Sequence, residues 1–123
     1  AWRLSTMLTT DFVMDAAKEA LTIGIPEITN SDQGIQYTSN DYLSLWDPEK
    51  TKVSMDGRGR AMDNIFTERL WRSVKYDEVY IKNYQTVSEA KDGIGAYLQD
   101  YNYGRLHQSL NYQTPAKVYF ERR

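Results

Sequence analysis

Apolar residues fall at helical spacing in three stretches of this chain, with short strand-like runs between the earlier ones. From Asp11 to Leu21 the residues Phe12, Ala16 and Ala20 with their neighbours form an α-helical stripe, and Thr10 precedes it as a good N-cap. Gly24 and Pro26 end that helix. Ahead of it, Trp2-Arg3-Leu4-Ser5 alternates like the tail of a strand. Glu27-Ile28-Thr29-Asn30 is a short strand candidate that runs into a turn, Ser31-Asp32-Gln33-Gly34. Ser39 caps a short helix to about Leu45, which Asp47-Pro48 breaks. Lys52 to Met55 is a second short strand.

The second half reads as helices. Asp56-Gly57-Arg58-Gly59-Arg60 is a flexible, basic loop. Met62, Ile65, Phe66, Leu70 and Val74 then fit a helical period from Ala61 to Lys75, with Trp71 taken as core. Thr86-Val87-Ser88-Glu89 is a capping box, opening a helix to about Tyr101. Its apolar side carries Val87, Ala90, Ile94, Tyr97, Leu98 and Tyr101, while Gly93 and Gly95 each weaken it by ~1 kcal/mol. Thr114-Pro115 opens a short terminal helix. Strands alternating with helices predict an α/β sheet with helices packed on it, although the visible strands are few.

Composition narrows the function classes. A chain of 123 residues has the length of one domain, and 41% hydrophobic with 26% charged residues is a globular balance. No apolar run approaches the ~20 residues of a membrane span, and Ala1-Trp2-Arg3-Leu4 lacks the core of a secretory signal. These features predict a soluble intracellular domain. Without cysteine there is no disulfide framework, thiolate nucleophile or cysteine-ligated zinc, and one histidine excludes a two-histidine site. A metal here must be a hard cation held by oxygens. The net charge of −2 gives no general electrostatic pull on nucleic acid. Ten tyrosines suit half-buried edges of a modest core as well as binding surfaces.

Two acids stand out by context. Asp32 follows a strand candidate, where α/β sites are built, and Glu68 lies mid-helix with Asp63 and Asn64 before it and Arg69, Arg72 and Lys75 after it. Taken alone, Asp32 is a turn former capping its own backbone, and Glu68 an exposed acid paired with Arg72 at i+4.

Their surroundings change that weighting. The segment from Ser31 through Asp32-Gln33-Gly34-Ile35-Gln36-Tyr37 to Thr38 resembles the second-aspartate motif of bacterial insertion-sequence transposases with a retroviral-integrase-type core. The run from Ser54 to Lys75 is similar to their glutamate-helix motif. Tyr101-Asn102-Tyr103-Gly104-Arg105-Leu106-His107-Gln108-Ser109-Leu110, followed by Tyr112 and Thr114-Pro115-Ala116, resembles their C-terminal signature. The resemblance runs through essentially the whole chain. It implies a ribonuclease-H-like α/β fold and an Asp, Asp, Glu triad that binds two Mg²⁺ ions, with Mn²⁺ as an alternative. It also implies cleavage of a phosphodiester by water and joining of the freed 3′-hydroxyl to target DNA.

Carried over to this chain, the resemblance makes Asp32 and Glu68 catalytic metal ligands that approach one shared cation. Arg58, Arg60, Asn64, Arg72 and Lys75 become contacts to insertion-sequence ends and target DNA. A solvated basic face for Arg72 and Lys75, a merely flexible loop for Arg58 and Arg60, and helix capping for Asn64 are the plainer alternatives. His107 is expected to tie the C-terminal loop to the core by hydrogen bonds. The family's first aspartate belongs to a strand upstream of anything present, and Asp11 and Asp15 sit in a helical pattern that disqualifies them. The expectation is therefore one partial integrase catalytic core domain over residues 1–123, helix-rich, truncated at its N-terminus and inactive alone. Its place is the bacterial cytoplasm, on the nucleoid when bound to DNA. A strand edge left unpaired predicts a homo-oligomer. The rivals are a DNA-binding remnant without catalysis and a protein-interaction module.

Overall fold

A computed structural model of the chain describes residues 1–7, 9–55 and 65–121. They fall into two compact units, Ala1–Phe66 and Thr67–Arg123.

In the first unit, α1 (Asp11–Ile23) outruns its expected end by two residues and stops at Gly24, whose N–H still donates to the Ala20 carbonyl. Thr10 is not the expected side-chain cap. Its backbone is already helical (φ −78°, ψ −20°), and a cap hydroxyl reaches the first free amides only from extended backbone. The strand tail expected at residues 2–5 is also absent. That segment carries no ladder, and the Arg3 guanidinium pairs instead with Glu19 of α1.

The two predicted strands form a parallel pair, β1 (Ile28–Ser31) and β2 (Lys52–Met55), in the register Ile28↔Lys52 through Ser31↔Met55. β1 starts one residue later than expected and takes in Ser31. The buried Thr51 donates its hydroxyl to the Pro26 carbonyl at 2.7 Å, and Lys52 N–H donates to the Glu27 carbonyl at 2.8 Å, which fixes where the ladder begins. A parallel pair needs a long crossover. Here it contains α2 (Ile35–Thr38), which the sequence pattern missed, and α3 (Asn40–Leu43). Ser39 caps α3 as predicted, in extended backbone, accepting from Tyr42 N–H at 3.2 Å. Tyr42 and Trp46 are the buried aromatics of this unit. Tyr37, Tyr42 and Trp46 meet edge to face with centroids 5.3 and 5.8 Å apart.

The second unit takes up α4 (Ile65–Val74) from Thr67 onward. The helix does not stop near Lys75. It passes through a π-helical turn, Lys75–Val79, into α5 (Tyr80–Lys82), and Asn83 in left-handed geometry (φ 49°) turns the chain. Val74 is buried, but Phe66 and Trp71 are 84% and 51% exposed, so Trp71 is not core. α6 (Val87–Tyr103) begins at the predicted box: Thr86 Oγ1 accepts from Glu89 N–H at 3.1 Å. Glu89 reaches back to Gln85 N–H at 2.9 Å, one residue earlier than the motif prescribes. α7 (Pro115–Glu121) opens as expected, with Lys117 N–H on Thr114 Oγ1. α6 packs against the π turn and α7.

Candidate metal and DNA site

Asp32 lies immediately past the end of β1, exposed, at the carboxyl end of a parallel strand, where α/β sheets present their ligands. Its Oδ1 accepts from Gly34 N–H at 2.8 Å. The turn-forming role is therefore real, and it is compatible with metal ligation because it aims the carboxylate rather than burying it. Burial pushes the hydroxyl pKa of nearby Tyr37 up, with smaller contributions from Tyr42 and from the charge of Asp32.

Glu68 sits exposed in the first turn of α4, in the second unit. Arg72, one turn on, stacks its guanidinium over the Tyr76 ring at 4.9 Å, and Tyr76 meets Tyr80 edge to face at 5.2 Å. The Glu68–Arg72 pair is not among the ion pairs of the described residues. Lys75 is exposed at the start of the π turn. Arg58, Arg60 and Asn64 lie outside the described residues.

Carboxylate oxygens are the hard donors that Mg²⁺ and Mn²⁺ prefer, so Asp32 and Glu68 are each, taken singly, of the donor type that suits such ions. Among the described residues no three acids or imidazoles gather into a closed cage.

The sequence pattern does not single out Glu78, Tyr84 or Asp77. Glu78, in the π turn, is 8% exposed, and the Tyr84 hydroxyl donates to its Oε1 at 2.6 Å. Partial burial, then that hydrogen bond and the charge of Glu78, push the Tyr84 pKa up to about 12. Asp77 Oδ2 accepts from the Tyr97 hydroxyl at 3.0 Å and from Arg105 at 3.5 Å. Arg105 also lies over the rings of Tyr97 and Tyr101, at 5.4 and 5.6 Å. The i, i+4, i+8 spacing of Tyr97, Tyr101 and Arg105 was visible in the sequence, whereas their partner Asp77 was not. His107 holds the C-terminal loop differently from expectation. Its backbone pairs with Gln113 and its ring meets Tyr101 edge to face at 4.7 Å, while Nε2 is buried without a hydrogen bond.

Residues 49–115 match the family described as Integrase core domain, and the chain belongs to that family. Several proteins it is similar to are insertion-sequence transposases. The transposase for insertion sequence element IS904 of Lactococcus lactis subsp. lactis (strain IL1403) is 30% identical over 118 residues, covering 93% of this chain and 47% of that protein. The putative transposase InsK for insertion sequence element IS150 of Escherichia coli (strain K12) is 29% identical over 103 residues, 84% of this chain and 36% of that protein. The transposase for insertion sequence element IS629 of Shigella sonnei is 29% identical over 119 residues, 95% of this chain and 40% of that protein. The chain thus spans less than half the length of these relatives. No solved structure matches it.

Proposed function

We propose that this chain supplies two of the carboxylate ligands and part of the DNA grip of an insertion-sequence transposase that cleaves and transfers DNA strands with Mg²⁺. The observation that carries the reading is Asp32 at the end of β1, inside the motif that resembles the family's second aspartate. Asp32 and Glu68 are the ligands. Mg²⁺, or Mn²⁺ in its place, supplies Lewis-acid stabilisation of the charge that develops on the attacking and leaving oxygens. The turn around Gly34 keeps the Asp32 carboxylate outward. Arg72 and Lys75, together with Arg58, Arg60 and Asn64, hold the phosphate backbone, and Arg72 is steadied for this by the Tyr76 ring.

Two carboxylates do not fix two ions in line, so the 123-residue chain alone does not cut DNA. The test is a cleavage and strand-transfer assay with Mg²⁺ and Mn²⁺, beside an electrophoretic shift titrated with salt. Expected are no products, and a shift that weakens as salt rises and weakens further in Arg72→Ala and Lys75→Ala. Metal-dependent nicking that vanishes in Asp32→Ala would show that another acid completes the site. Absence of any shift would remove the DNA-contact assignment.

A further inference from the structure

The turn after β1 contains a residue whose identity the backbone does not explain. Gly34 has φ −60° and ψ 150°, a conformation open to any amino acid, so no left-handed geometry requires glycine there. Space requires it. An ideal Cβ on Gly34 would stand 2.9 Å from Asp32 Oδ1, 3.4 Å from Gln36 Oε1 and 3.5 Å from Tyr37 Cδ2. The closest of these atoms is the same oxygen that accepts the Gly34 N–H at 2.8 Å. A carboxylate at the end of a rotatable side chain yields before backbone does. Alanine at this position would therefore turn Asp32 away rather than unfold the loop.

We infer that Gly34 is a positioning residue: its N–H and its missing Cβ together hold the Asp32 carboxylate in one orientation at the end of β1. The consequence for cations rests on the reading of Asp32 as a metal ligand; the orientation itself does not. Groups that orient a ligand from behind typically change metal affinity 10–100-fold when altered.

NMR on the full 123-residue chain separates the two claims. Three-bond couplings to the Asp32 β protons report its χ1, and titration with Mn²⁺ alone reads cation proximity through line broadening. A single Asp32 rotamer is expected in the parent chain. In Gly34→Ala that rotamer is lost or changed, other amide signals stay in place, and broadening at Asp32 needs about tenfold more Mn²⁺. An unchanged χ1 together with an unchanged Asp32 carboxyl-carbon shift in Gly34→Ala overturns the inference whether or not Mn²⁺ binds. Altered χ1, with no Mn²⁺ broadening at Asp32 even in the parent, upholds the role of Gly34 and overturns the ligand reading instead. Asp32→Ala probes the same bond from the other side, and serves if Gly34→Ala fails to fold. Exchange of the Gly34 amide with solvent must then accelerate, and unchanged exchange again overturns the inference.

Discussion

Glu78 is nearly sealed from water, and the hydroxyl of Tyr84 at 2.6 Å replaces part of the hydration it has lost. Removing that donor leaves a buried acceptor short of a partner, which costs about 1–3 kcal/mol. Tyr84→Phe is expected to lower stability by that amount in urea denaturation at neutral pH, with the isosteric ring preserving the packing. The same pair sets an alkaline limit. Tyr84 holds its proton more tightly in the folded chain, up to about 12, than an unperturbed tyrosine does at 10.0. A group whose pKa is raised by folding stabilises fully below its unfolded value and loses that contribution as pH climbs through the folded one. Stability should therefore fall between pH 10 and about 12. Urea midpoints across that window check this, and Tyr84→Phe should lack the Tyr84 component of the fall.

α6 carries Gly93 in its interior, where alanine ordinarily stabilises a helix by about 1 kcal/mol. Here the sign should reverse. A Cβ on Gly93 would lie 2.7 Å from Tyr84 Cζ, so Gly93→Ala must push the ring off Glu78 or move the helix. A lower melting temperature than the parent is the expected outcome, and a rise would show that Tyr84 relocates without loss. Such elements also divide what was legible in the sequence from what was not. The caps at Ser39, Thr86 and Thr114 and the strand Lys52–Met55 were readable because each depends on residues within a few positions of itself. Asp32 at a strand end was readable for the same reason. The π turn, the exposure of Trp71 and the Asp77–Tyr97–Arg105 network were not, because each is decided by what packs against the helix, and periodicity shows a face without showing its cover. Gly34 was noticed as a turn residue, but its closeness to the Asp32 oxygen is a matter of ångströms that only coordinates supply.

At the scale of the whole molecule, β1 and β2 pair with each other alone among the described residues, and Ile35, Phe66 and Ile81 are 84%, 84% and 69% exposed. Unpaired strand edges and bare apolar side chains recruit other chains. The expected outcome is a homodimer or larger assembly, measured by light scattering or sedimentation at micromolar concentration. A clean species of 14.3 kDa with a cooperative melt would refute it.

The parallel register also governs how fast the first unit can fold. Paired residues of β1 and β2 are 24 positions apart, so no rung can form before the intervening chain has closed on itself. That closure carries an entropy cost of roughly 3 kcal/mol plus a constant, ahead of any ladder bond. Local helix formation is faster, and α2 and α3 with the Tyr37–Tyr42–Trp46 contacts lie inside the loop that must close. Early assembly of those rings shortens the effective loop and places them in the rate-limiting step. Tyr42→Leu should then slow refolding in stopped-flow mixing, while Thr29→Ala in the ladder should chiefly quicken unfolding.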